Sequence, residues 1–129
     1  MGNFDDAVLN AWLDAFARNT AYGLNTQVWV KLHTGDPGGS GTSNAATNTT
    51  RQQATFGSAS SAGAISNTVA VEWTNVSTTE TYSWISLWSA STGGTFLGND
   101  QLSSNAAVTA GDTFRIPIGD LDLTLTSGI

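Results

Sequence analysis

The sequence predicts a mainly β protein, a β-sandwich of jelly-roll or immunoglobulin-like type with one amphipathic helix at its N-terminus. Three observations carry that expectation. Apolar residues recur at three- and four-residue spacing before residue 20 and at two-residue spacing after residue 26. The alternating stretches are short, and clusters of Gly, Asn, Asp and Ser separate them, as in sandwiches and barrels. No linker divides the 129 residues, so they read as a single domain, with a helical segment over 1–22 and the sandwich over 26–129.

Asn3 to Asn19, NFDDAVLNAWLDAFARN, is the expected helix. Asn3 is placed as its N-cap, with a side chain able to accept from an orphan N–H of the first turn. Asp5 and Asp6 lie where the helix dipole favours negative charge, and Arg18 lies where it favours positive charge. Gly23 is positioned to end the element in a left-handed conformation. Phe4, Val8, Leu9, Trp12, Leu13 and Phe16 make one apolar stripe. Its plainer use is docking on the sheet of the same domain. Its other use is a subunit or partner interface, for which Phe4, Val8, Trp12, Leu13 and Phe16 are the candidates.

The strands follow in order. Gln27 to Thr34, QVWVKLHT, alternates Val28, Val30 and Leu32 against Trp29, Lys31 and His33, and the glycines around Asp36-Pro37 then break it. Ser40 to Thr50 offers almost nothing to a core and reads as a loop, long enough to be functional or mobile. Arg51 to Phe56 returns as a strand, and 57–63 is a second small-residue loop. In Thr68 to Thr74, Val69, Val71 and Trp73 share a face. In Tyr82 to Ala90, Tyr82, Trp84 and Trp88 oppose Ile85 and Leu87; with large residues on both faces, this strand is expected to be central. Thr92-Gly93-Gly94 turns the chain into Thr95 to Gly98. Ala110-Gly111-Asp112 turns it into Thr113 to Ile118, where Pro117 predicts an edge or a bulge. Leu121 to Thr126 closes the chain with Leu121, Leu123 and Leu125 on one face.

Chemistry-bearing residues are sparse. His33 stands three residues before Asp36, but it is the only histidine and there is no cysteine, so a metal site would need several carboxylates. The turn explains Asp36, Pro37 and the glycines without catalysis. Asp112, Asp120 and Asp122 lack the spacing of a calcium loop. No catalytic residue, metal ligand or cofactor is assigned, and the chain does not read as an enzyme. Asn48-Thr49-Thr50 and Asn75-Val76-Ser77 match the glycosylation pattern, as chance allows where Asn, Ser and Thr make up about a third of the residues. Five tryptophans are many for this length. Core or subunit contacts account for most of them, and Trp29, Trp84 and Trp88 are candidate surface-binding aromatics for a sugar.

Composition narrows the partners. The net charge is −6, with four basic residues, Arg18, Lys31, Arg51 and Arg115, scattered along the chain. No basic stripe for nucleic acid can be built from them. The acidic balance disfavours anionic membranes, and no apolar run reaches the ~20 residues of a bilayer span. The start, MGNFDDAVLN, lacks the features of a secretory signal, and Asp6 stands where a myristoylation motif needs Ser or Thr.

The stretches VWVKLHTGDPGGSGTSNAA, RQQATF, WISLWSASTGGTFLG and VTAGDTFRIPIGDLDLTL resemble a group of small tailed-phage virion proteins of actinobacterial phages, with LHTGDPG at Leu32 to Gly38 as the most specific marker. Such proteins are described as minor tail or tail-fibre components, and the resemblance leaves room for decoration of the capsid instead. The resemblance implies a structural role in the virion, assembly in the host cytoplasm and contacts with other phage virion proteins. A homo-oligomer is expected, and a host cell-surface glycan is a further candidate partner. The alternatives are capsid decoration and a carbohydrate-binding module; the latter requires tryptophans side by side on an exposed face.

Overall fold

The computed structural model describes residues 3–21, 27–59 and 63–125. In chain order its elements are β1 (Asn3–Phe4), α1 (Asp6–Arg18), β2 (Val28–His33), β3 (Gln52–Ala54), β4 (Ala64–Ser66), β5 (Val71–Trp73), β6 (Glu80–Trp88), β7 (Phe96–Val108), β8 (Phe114–Ile116) and β9 (Asp122–Thr124). The strands form a five-stranded sheet in the order β1-β7-β6-β2-β3 and two small pairs, β4-β9 and β5-β8. Among the described residues every ladder is antiparallel and no barrel closes. An isolated bridge from Phe56 to Asn67 carries the chain from the end of β3 to the small pairs.

The arrangement is sandwich-like. Val30, Leu32, Ile85 and Leu87 of the large sheet share one buried cluster with Val71, Trp73, Ile116 and Leu121 from the other side. β6 is the middle strand of its sheet, as its two apolar faces predict. Its ladder with β7 slips between Tyr82 and Trp84, where β7 carries three more residues than β6. Tyr82 lies in the core against Phe114, with ring centroids 5.2 Å apart, and does not share the outer side with Trp84 and Trp88. Thr92-Gly93-Gly94 joins β6 to β7 as expected.

The helix starts later than the sequence suggests. Asp5 is the N-cap, its carboxylate accepting from Ala7 N at 3.1 Å, while Asn3 and Phe4 pair with Asn99 and Gly98 of β7. The open edge of β7 explains the difference: the Asp5 N–H donates to the Leu97 carbonyl at 2.8 Å, so the chain is held extended until Asp5 caps the turn. At the other end Asn19 adopts φ 51 and donates to the Asp14 carbonyl, ending the helix before Gly23, which lies outside the described residues.

The small pairs meet at Asn67, which is 1% exposed. Its amide donates to the carbonyls of Val69 (2.8 Å) and Pro117 (3.0 Å), and its Oδ1 accepts from Leu121 N at 3.0 Å. This clamp bends the chain at 68–69, so Val69 is 56% exposed and does not join Val71 and Trp73. Pro117 ends β8 by opening a turn closed by the Asp120 N–H. Leu121 is buried, but Leu125 is exposed, so the last apolar alternation only half faces the core. Asn67→Ala leaves one buried donor and two carbonyls without partners, and it should cost about 2–4 kcal/mol in urea unfolding.

Candidate functional site

β2 delivers His33 to the face of the large sheet opposite the sandwich core, and the ring is 0% exposed. Its Nε2 lies 2.7 Å from Ser86 Oγ on β6, and its Nδ1 lies 2.9 Å from the Ser43 carbonyl. Trp88 Nε1 is 2.8 Å from the same Ser86 oxygen. The Ser43 carbonyl only accepts, so the His33 Nδ1–H donates to it; Nε2 of the neutral ring then accepts from the Ser86 hydroxyl, whose oxygen accepts in turn from the Trp88 indole N–H. Burial lowers the His33 pKa, the Ser43 carbonyl opposes that shift and Lys31 reinforces it. The imidazole is neutral, with both nitrogens occupied. What it can do is hold a backbone carbonyl in place.

That carbonyl belongs to the loop over 34–46. Asp36 Oδ1 accepts from Gly38 N at 2.8 Å, and its backbone carbonyl accepts from Asn44 Nδ2 at 2.9 Å. Thr34 N donates to Asn44 O, Ser43 N to Pro37 O and Ala46 N to Leu32 O, all at 2.9–3.1 Å. The tip reaches across to β7, where Asn99 Nδ2 donates to Gly38 O at 3.2 Å. Gly41, at φ 74, lies so close to Phe96 that a Cβ there would collide with the ring. A sequence with almost no apolar content is thus folded down by its own backbone bonds.

Among the described residues no three His, Asp or Glu side chains are placed to hold a metal ion. Asp112 is engaged in its turn, accepting from Thr109 N at 2.8 Å. Asp120 and Asp122, with Asp100, line an open cavity of about 650 Å³ between β7 and the β8–β9 segment. Burial pushes the Asp100 carboxyl up. Asn48, one of the two glycosylation matches, is buried.

The tryptophans divide. Trp73 is core, its Nε1 donating to Thr50 O at 2.8 Å. Trp88, a surface candidate from sequence, is only 9% exposed, because Arg51 lies 4.3 Å above its ring and Phe96 packs 5.4 Å away. It is therefore withdrawn as a surface-binding aromatic. Trp29 and Trp84 are half-buried on the same face, opposite Trp88 and His33 respectively in the β2–β6 ladder. Between them stands Lys31, with Arg51 beside it on the β3 side.

The helix stripe also divides. Val8 is buried in the core cluster, Trp12 packs against that cluster, and Phe4 meets Trp12 edge-to-face at 5.0 Å. Val8 therefore belongs to the chain's own interior and is withdrawn as an interface residue. Leu13 is 62% exposed and Phe16 89% exposed.

Residues 3–124 match the family described as podophage GP4 fiber I protein gp80. The chain belongs to this fibre family. A search of curated proteins gives no match. As a phage fibre protein it is a structural component of the virion, and its contacts are with other virion proteins. The geometry agrees with structural work: in this fibre protein His33, Asp36 and Asp112 are all spent on holding backbone. Sequence reasoning passed over Ser86 and Arg51. Arg51 Nη1 donates to the carbonyls of Ala90 (2.7 Å) and Gly93 (2.8 Å), pinning the turn between β6 and β7. No short-range signal marks the contacts that matter, since Ser86 meets His33 across 53 positions and Arg51 meets Ala90 across 39.

Two outcomes follow for the fibre protein. A histidine with a lowered folded pKa contributes stability that is present above its unfolded pKa of about 6.5 and is lost as pH falls below that value. Melting temperature should fall from about pH 7 to about pH 5, and His33→Gln, which cannot titrate, should flatten that part of the profile. Gly41→Ala, strained by its positive φ and by Phe96, should cost about 2 kcal/mol or more in denaturant titrations.

Proposed function

We propose that this fibre-family chain is a tail component of minor-tail or fibre type, which assembles as a homo-oligomer through the outer side of α1. The observation that carries the assembly reading is the exposure of Leu13 and Phe16, at 62% and 89%, on a helix whose other side is already docked. Fully burying two such side chains is worth about 1.5–3 kcal/mol each. Repetition in a multi-copy particle turns that modest contact into firm attachment. The family's description as a fibre favours the tail over capsid decoration.

Imaging of particles labelled on this protein tests the location: label on the tail is expected, and label on the shell moves it to the capsid. Sedimentation tests the contact. The unaltered chain should self-associate, and Leu13→Ser with Phe16→Ser should return it to monomer with an unchanged circular dichroism spectrum. An unaltered chain that stays monomeric at the highest concentrations, or a double variant with undiminished association, removes α1 as the contact.

A further inference from the structure

We infer that Lys31, Arg51 and Trp29 form a binding site for an acid group carried on a sugar ring, as presented by an anionic polysaccharide. This goes beyond the assembly role and uses a different surface.

The inference starts from an electrostatic oddity. The chain has only four basic residues against ten acidic ones, yet the fold places two of the four side by side. The β2–β3 ladder ends at Val30–Gln52, and Lys31 and Arg51 are the next residue on each side, near enough for the Arg51 charge to act on Lys31. Like charges directly opposite on neighbouring strands are destabilising. Both side chains are half-buried, which sharpens the repulsion, and burial followed by the Arg51 charge lowers the Lys31 pKa. No carboxylate relieves them: the ion pairs among the described residues are Arg18–Asp14 and Arg115–Glu72. Arg51 has a structural reason to be there, in its bonds to Ala90 and Gly93 and its place over Trp88. Lys31 has no hydrogen bond or ion pair among the described residues that would account for it. A bound anion would convert the repulsive pair into two attractive contacts.

The neighbour of Lys31 on the same face decides what carries the anion. Trp29 is two positions away, half-exposed, and its indole is oriented by a 2.8 Å bond from Nε1 to Gln27 Oε1. A fixed aromatic face beside cations suits a sugar ring that stacks while its acid group is held. A peptide strand is the poorer fit, because β2 is flanked by β6 and β3 and has no open edge for strand addition. Trp84 lies on the same face, across from His33. It stands about 13 Å along β6 from the Trp29 level, within reach of further units of the same chain of sugars.

The test is an NMR titration of the full chain, following the Trp29 indole N–H and the Lys31 amide. The probes are oligogalacturonate, galactose 6-phosphate, a neutral galactose oligomer, inorganic phosphate and a polyglutamate peptide. Saturable shifts at Trp29 and Lys31 are expected from one or both of the acidic sugars, the first pointing to sugar carboxylates and the second to sugar phosphates. Lys31→Gln should weaken that binding at least tenfold while leaving the melting temperature equal or higher, since it removes the like-charge contact. Silence of both acidic sugars overturns the proposal. So does equal binding of the neutral oligomer, of inorganic phosphate (an adventitious ion only) or of polyglutamate (a protein partner). A lower melting temperature for Lys31→Gln also overturns it, by giving Lys31 a structural role. The readout concerns a face remote from Leu13 and Phe16, so its failure leaves the assembly proposal standing, and the converse holds.

Discussion

The direction of one hydroxyl proton organises the outer face of the large sheet. The Ser43 carbonyl can only accept, so the neutral His33 ring carries its proton on Nδ1, and its bare Nε2 must take the Ser86 hydroxyl proton. Ser86 keeps a lone pair free, which accepts from the Trp88 indole N–H. Three side chains from two strands and one loop carbonyl are thereby fixed in a single consistent arrangement. The consequences spread outward. The loop over 34–46 is held down, Trp88 is oriented so that Arg51 can lie over it, and Arg51 reaches the carbonyls of the β6–β7 turn. A buried network of this kind is favourable only when every member is satisfied, which makes the face intolerant of partial change.

The same economy recurs on the other side of the sandwich. Only 11% of the residues are charged, and the buried polar positions are His33, Asn48, Asn67 and Ser86. Neutral amides and hydroxyls, Asn67 and Ser86 foremost, carry most of this buried bonding. Asn67 alone joins two small strand pairs that have three residues per strand and little cohesion of their own. Carboxylates are drawn into the same pattern: Glu80 accepts from the backbone N–H groups of Thr47 and Asn48, as Asp36 and Asp112 accept from Gly38 and Thr109. A phage fibre protein built this way keeps its shape with few groups whose charge state depends on the surroundings.

Much of the fold was legible because period-two alternation and glycine turns are local signals. β2, β3 and β6 lie where the pattern placed them, and the central position of β6 followed from its two apolar faces. β7 was cut short at Gly98 because its second half, Asn99 to Asn105, is polar; its extension comes from pairing with β6, which propensity does not record. β4 lies just beyond the small-residue loop over 57–63, in residues to which no strand was assigned. Asn3 and Asp5 are both good caps, and only the edge of β7 chooses between them. Of the site, the turn after His33 was readable, whereas the Lys31–Arg51 juxtaposition was not, since strand register brings together residues twenty positions apart.

The attachment of α1 has a mechanical consequence. The helix is joined to the body at its leading end, by the two-residue ladder of β1 on β7 and the bond from Asp5 to Leu97. β7 is also the longest strand and is zipped along β6 over most of its length. A pull transmitted through α1 therefore enters the molecule at the rim of its largest sheet, where the β6–β7 seam shares it.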